Sequence, residues 1–312
     1  MKVGTRAVVR IDTHVIQPTI SHCSSLLSDV GNKAAVFPLQ LLGFDVDFVN
    51  SVHFSNHTGY ENGLTGEVMN GDQLLQILKG LEDNSLLEEI GHVLTGYIGS
   101  ITFLDSVLNV LERVKKYNKN FVYVCDPVLG DEGKFYVPPE LVQVYREKVI
   151  PLADVVTPNQ FEVEQVTGIK VNSLDDAKKA CQFLHDIGPP VVFITSVVFP
   201  NDSSDKIAII ASRRDPKTKQ EEMWRIDCPL LPGKYTGTGD VTAALLLGHL
   251  SDLAQEPDNL PRAMEKVINT VYAIIERTQK SSGETMNSKE LKLIQSKVDI
   301  ENPPTTFQAK RL

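Results

Sequence analysis

The residues Gly237-Thr238-Gly239-Asp240 lead straight into the apolar run Val241-Thr242-Ala243-Ala244-Leu245-Leu246-Leu247. Two glycines permit a tight turn. A helix that begins at once leaves backbone N–H groups and its positive end aimed at one spot, which suits a phosphate or a developing anion. Asp240, in that first turn, could hold or deprotonate a substrate hydroxyl beside the anion. A plain loop with a good N-cap would carry the same residue types, since Asp and Thr are favoured there. Two better-known glycine motifs are excluded. A dinucleotide fingerprint needs Gly or Ala where Thr242 stands and should follow an early strand. No Gly-x-x-x-x-Gly-Lys-Ser/Thr occurs in the chain, so a P-loop does not handle phosphate here.

Two further constellations follow segments of strand character. Asp126-Pro127-Val128-Leu129-Gly130-Asp131 sets two carboxylates at a strand's carboxyl end. They could hold hydrated Mg²⁺, which favours one or two carboxylates plus phosphate oxygens, or cap turns near Pro127 and Gly130. Thr157-Pro158-Asn159-Gln160-Phe161-Glu162 puts Asn159 and Glu162 in a helix's first turn, where a capping role competes with a functional one. Tyr97, after Leu94-Thr95-Gly96, could stack on a planar ligand or simply pack. His53 and His57 are four apart, but Ser55, Asn56 and Gly59 argue against a helix there, so the pair is not read as a metal site.

These residues need a scaffold, and the chain alternates short β-rich segments with longer segments of helical period. Strands are expected at 7–11, 44–50, 92–94, 121–125, 155–156 and 191–194, and helices at 71–83, 100–117, 174–187, 240–253, 261–280 and 288–296. Pro138-Pro139-Glu140 opens another helix. Segments 206–213 and 223–227 follow each other without a helix, as an antiparallel addition at a sheet edge would. The pattern specifies an α/β fold, a mostly parallel central sheet with helices on both faces and a few antiparallel edge strands. In such sheets ligands bind beyond the carboxyl ends of the strands, where all three constellations lie.

The 312 residues carry 31 Lys+Arg against 40 Asp+Glu, a net charge of −9. The acidic balance argues against nucleic-acid partners, which need cations to neutralise phosphates. A small anion remains compatible with it, because local dipoles can outweigh global charge. Cys23, Cys125, Cys181 and Cys228 stand far apart, fitting a reducing compartment. Residues 1–14 lack an apolar signal-peptide core, and the longest nearly apolar run, 191–200, is too short to span a bilayer. A cytoplasmic protein without a membrane partner is the expectation. No low-complexity linker divides the chain, so residues 1–312 are expected to form one domain.

Taken together and in order, these segments resemble the pyridoxal kinase family of the ribokinase-like superfamily. The likeness rests on Val30-Gly31-Asn32-Lys33-Ala34-Ala35, Phe37-Pro38-Leu39-Gln40, Asn50-Ser51-Val52, Phe54-Ser55-Asn56-His57-Thr58-Gly59-Tyr60 and Leu94-Thr95-Gly96-Tyr97. It continues through the Asp126 and Thr157 segments, Ile194-Thr195-Ser196, the Gly237 turn and Ile294-Gln295-Ser296. The Gly-Thr-Gly-Asp turn is superfamily-wide, whereas Asn-His-Thr-Gly-Tyr is much narrower and argues against a hydroxymethylpyrimidine kinase. The resemblance implies a three-layer ribokinase-like sandwich, and a homodimer that phosphorylates the 5′-hydroxyl of pyridoxal, pyridoxine and pyridoxamine with ATP. It further implies Asp240 as the group activating that hydroxyl and Gly237, Thr238 and Gly239 as the anion hole. Thr13, Val30, Thr58 and Tyr97 fall on the pyridoxal pocket. Asp126, Asn159, Thr195, Ser196 and Thr238 fall on ATP, and Asp131 and Glu162 on Mg²⁺. Asp126, Thr157 and Thr195 surround a monovalent cation, K⁺ or Na⁺. Residues 131–136 correspond to a lid over ATP. One block departs from the family: Gln17 to Asp29 replaces a very short Gly-Tyr turn beside the pyridoxal pocket. An alternative expectation is therefore a chain that binds nucleotide or B6 vitamer with impaired turnover.

Overall fold

A computed structural model describes residues 28, 30–57, 59–203, 205–250, 259–283 and 285–312, and the backbone of 6–13. The first strand, β1 (Arg6–Thr13), precedes α1 (Gly31–Leu41), β2 (Asp45–Phe54) and the short β3 (Gly66–Val68). Next come α2 (Gly71–Asp83), β4 (His92–Thr95), α3 (Ile101–Tyr117) and β5 (Val122–Cys125). A small hairpin, β6 (Gly130–Asp131) and β7 (Lys134–Phe135), leads to α4 (Leu141–Val144), β8 (Val155–Val156), α5 (Gln160–Thr167), α6 (Leu174–Ile187) and β9 (Val191–Val197). The chain continues with β10 (Lys206–Arg214), β11 (Glu221–Pro229), α7 (Thr238–His249), α8 (Leu260–Ser281), α9 (Lys297–Glu301) and β12 (Lys310–Arg311).

Ten strands form one sheet in the order β12-β11-β10-β9-β8-β5-β4-β1-β2-β3. The six from β9 to β2 run parallel, and β3, β10, β11 and β12 add antiparallel strands at the two edges. The expected antiparallel addition is present, and β12 covers its outer strand. Alternation along the strands divides the core. Val93, Tyr123, Cys125, Val156 and Val192 pack with residues of α2 to α6 on one face. Leu94, Val124, Val155, Val191 and Phe193 pack with α1, α7 and α8 on the other. Burial on both sides of β4, β5, β8 and β9 is what a parallel sheet covered by two helix layers requires. No helix among the described residues is long and apolar enough to cross a membrane.

Helix α2 spans the expected 71–83 and shows why. Asn70 accepts from the Gln73 N–H at 3.0 Å while Gln73 accepts from the Asn70 N–H at 2.8 Å, a capping box. Asn70→Ala is expected to cost about 1 kcal/mol in a urea titration. The expected helix at 288–296 is corrected. The structure has 3₁₀ turns at Met286–Lys289 and Ile294–Ser296, separated by an extended Glu290, with α9 only afterwards. Glu290 is turned inward to a buried cluster (below), and that contact outweighs local helix propensity.

His249 closes α7 with its ring partly buried. Its Nε2 has no hydrogen-bond partner among the described residues. Burial, helped by the charge of Lys266, lowers its pKa from 6.5 to about 4. As pH falls from 6.5 towards 4, the unfolded chain therefore takes up a proton that the folded chain resists, and stability is lost. The loss should reach up to about 3 kcal/mol. Urea midpoints measured against pH should show this fall in the wild type and a flatter curve in His249→Gln.

Candidate active site

The site lies beyond the carboxyl ends of the parallel strands. Gly237 adopts φ +91°, a left-handed conformation that glycine takes without strain, and caps α7. The Val241 N–H returns to the Gly237 carbonyl at 3.1 Å. The N–H groups of Thr238 and Gly239 stand in the first turn, where the helix offers no carbonyl for them. Asp240 sits in that same turn, half-buried, and its Oδ2 accepts the Gly31 N–H at 2.7 Å. Gly31 is the first residue of α1, with φ +57°. Two helix N-termini thus converge on one carboxylate and favour its ionised form.

The Asp126 and Thr157 segments meet because β5 and β8 are neighbours in the sheet. Asp126 is buried, and its Oδ1 accepts from the Thr157 hydroxyl at 3.2 Å. Its Oδ2 lies 3.8 Å from where a Cβ on Gly239 would stand, so the Asp126 carboxylate closes on the backbone of the Gly237 turn. The Thr195 N–H donates to the Pro158 carbonyl at 3.0 Å, joining the end of β9 with Ser196 to the same rim. Asn159 and Glu162 form a capping box at the start of α5, each accepting the other's N–H at 2.9 Å. Glu162 also accepts the Leu129 N–H at 3.0 Å, and Asn159 Nδ2 donates to the Gly130 carbonyl at 2.8 Å. The capping reading of this motif is therefore present in the structure. It also does more, tying α5 to the β6–β7 hairpin.

That hairpin, the counterpart of the expected lid, turns through Glu132 (φ +48°) and Gly133 (φ +77°). Asp131 is exposed on it and accepts the Glu132 N–H at 2.8 Å. Glu132 forms an ion pair with Lys234 in the loop before the Gly237 turn. Phe135 meets Phe161 edge-on with centroids 5.0 Å apart. Burial of Glu162, then the charge of Asp126, pushes the Glu162 carboxyl well above the usual carboxylate range. Burial and the charges of Asp131 and Glu162 carry the Tyr136 phenol to about 12. Asp126 and Glu162 are buried here while Asp131 is exposed, hard oxygens of the kind Mg²⁺ prefers, although among the described residues no three such side chains cluster as a closed metal site.

On the substrate side, Val30 is buried at the N-cap of α1, and Tyr97, half-buried, donates from its hydroxyl to the Tyr136 carbonyl at 3.3 Å. Burial raises the Tyr97 phenol. The Thr13 side chain, Thr58 and all of the 17–29 block except Ser28 lie outside the described residues. Sequence reading missed Gly31 as the partner of Asp240, 209 positions away. It also missed Lys234 as the tie to the hairpin. No spacing rule points to either, although glycine at a strand-to-helix junction is a signal that a backbone group approaches closely.

The Phosphomethylpyrimidine kinase family model matches residues 84–287. The pyridoxal kinase of Arabidopsis thaliana is 47% identical, covering 98% of this chain and 95% of that protein, and that of Homo sapiens is 41% identical, covering 97% of each. A structure titled pyridoxal kinase from Leishmania donovani in complex with ADP superposes with TM-score 0.87 at 33% identity, over 98% of this chain and 99% of the other. Complexes of that enzyme with ADP and pyridoxine or pyridoxamine superpose with TM-score 0.86. Fold and phosphate-type turn together define a small-molecule kinase of the ribokinase-like class. Within that class, identity over nearly the full length is decisive: the chain belongs to the pyridoxal kinase family.

Proposed function

We propose that this chain transfers the terminal phosphoryl group of ATP to the 5′-hydroxyl of pyridoxal, pyridoxine or pyridoxamine, releasing ADP and the 5′-phosphate. The observation that carries the proposal is the Asp240 carboxylate, fixed by the Gly31 N–H beside the N–H groups of the Gly237–Gly239 turn. In this reading Asp240 accepts the hydroxyl proton as the O–P bond forms, and the turn stabilises charge on the moving phosphoryl group. A carboxylate at a helix N-terminus is a weak base. It suffices, because the transition state is loose and bond formation lags. Thr13, Val30, Thr58 and Tyr97 would line the vitamer pocket, and Asp126, Asn159, Thr195, Ser196 and Thr238 would hold ATP.

Asp131 and Glu162 would hold Mg²⁺, and Asp126, Thr157 and Thr195 a monovalent cation. Such ions would neutralise phosphate charge when bound. The burial of Glu162 near Asp126 supports this reading, since burial and the charge of Asp126 disfavour ionised Glu162 and a bound cation would offset both. Replacing K⁺ by tetramethylammonium, too large for a site of this kind, is expected to lower turnover by roughly ten-fold or more. Residues 1–312 would act as one domain, a reading supported by a single sheet drawing strands from both ends of the chain, and as a homodimer sedimenting at twice the chain mass.

The test is formation of the 5′-phosphate from pyridoxal, MgATP and K⁺, run beside hydroxymethylpyrimidine as a competing acceptor. Preferred turnover of pyridoxal supports the proposal. ATP binding without product would overturn it in favour of an impaired chain, with the 17–29 block as the cause.

A further inference from the structure

His57 and Tyr60 are fastened from a distant part of the chain. Glu290, buried at 8% exposure, brings one carboxylate oxygen to three side chains. Oε1 accepts from the Ser28 hydroxyl at 3.0 Å and the Tyr60 hydroxyl at 3.0 Å, and lies 3.4 Å from His57 Nε2. The Gly59 N–H donates to His57 Nδ1 at 3.0 Å, which makes Nδ1 the acceptor and leaves the ring proton on Nε2, facing the carboxylate. Ser28 Oγ also accepts the His57 N–H at 3.1 Å. The His57 and Tyr60 rings meet edge-on with centroids 4.8 Å apart. A Cβ at position 59 would stand 2.8 Å from His57 Cε1, so a larger residue there would push against the His57 ring. Burial, together with the charge and hydrogen bond of Glu290, carries the Tyr60 phenol to about 12.

Ser28 stands two residues before Val30 and three before Gly31, whose N–H holds Asp240. A single oxygen therefore grips both chain segments that meet at the acceptor side of the site. The described members of the cluster, Ser28, His57, Tyr60 and Glu290, are all distinct from the residues proposed for the nucleotide. We propose that Glu290 is a positioning residue for the acceptor alcohol: it sets the 56–60 segment and the 28–31 segment relative to each other, and so governs vitamer affinity without governing ATP affinity. The proposal rests on the pyridoxal kinase reading of the site for the identity of that alcohol.

The experiment uses the full chain with Glu290→Ala and Glu290→Gln. In Glu290→Ala, pyridoxal KM should rise about ten-fold or more, as loss of a buried charge-assisted acceptor implies, while ATP KM stays within about two-fold. The glutamine carbonyl can still accept from both hydroxyls, so Glu290→Gln should recover most of the loss. Hydrogen–deuterium exchange supplies a readout that needs no substrate: exchange in Glu290→Ala should quicken in peptides covering 55–63 and not in those covering 157–196. Unchanged exchange at 55–63 overturns the clamp, and a parallel rise in both KM values overturns its selectivity for the acceptor. Should Glu290→Ala fail to fold, Tyr60→Phe and Ser28→Ala each remove one donor and should raise pyridoxal KM several-fold, and no change in either overturns the proposal. If the wild type phosphorylates another alcohol and not pyridoxal, the substrate reading fails alone, and the clamp is judged by the same exchange pattern and that alcohol's KM.

Discussion

Asp240→Asn is expected to lower kcat for pyridoxal phosphorylation by about a thousand-fold, the middle to upper range for removing a positioned proton acceptor. The replacement is nearly isosteric. The Gly31 N–H, now held at 2.7 Å by Oδ2, needs an acceptor, so the asparagine must turn its carbonyl to Gly31 and its amide to the substrate. The turn thus keeps its shape while an N–H donor replaces the proton acceptor at the hydroxyl. ATP binding, measured by calorimetry on the same protein, should stay within about three-fold, since helix geometry and the first-turn N–H groups are kept. A variant retaining more than a tenth of wild-type kcat would show that the hydroxyl needs no carboxylate here.

Gly130→Ala should be the most damaging single methyl in the nucleotide half. A Cβ at Gly130 would stand 2.1 Å from the Lys134 carbonyl oxygen and 2.7 Å from Phe161 Cε1. Lys134 pairs with Asp131 across the hairpin, so the clash falls on backbone and cannot be relieved by a rotamer change. Overpacking of this kind costs about 1–3 kcal/mol. The functional effect should exceed the stability effect. Gly130 receives Asn159 Nδ2 on its carbonyl, and its neighbour Leu129 donates to Glu162, so a displaced hairpin loosens the start of α5. ATP KM should rise roughly ten-fold or more, with a smaller rise in pyridoxal KM passed on through the Tyr97–Tyr136 contact. Thermal melting with steady-state kinetics in both substrates tests this. A melting shift without a rise in ATP KM would separate the hairpin from nucleotide binding.

Local signals carried much of this architecture into the sequence. The leucines of 71–83, spaced on one face behind a capping box, define α2 to the residue. The meeting of Asp126 with Thr157 follows from two strands that become neighbours in a parallel sheet, and motif residues after adjacent strands are brought together by topology alone. What stayed hidden depends on distant contacts. Segment 288–296 has good helix formers in Lys, Glu, Leu and Gln, yet Glu290 is extended because its carboxylate is used 230 and 262 positions upstream. Gly31 looks like an ordinary helix start until α1 and α7 pack together. Glu162 has the sequence signature of a cap, and only burial beside Asp126 marks it as something else.

The separation of Ser28 from Glu290 has a consequence for synthesis. A ribosome exposes the Asp126, Thr157 and Asp240 segments well before residue 290 leaves the exit tunnel. During that interval the nascent polypeptide has made every residue proposed for ATP and none of the fastening that Glu290 gives to 28 and 57–60. Chains cut short before residue 290 would accordingly keep the residues proposed for ATP and lack the fastening proposed for the acceptor pocket.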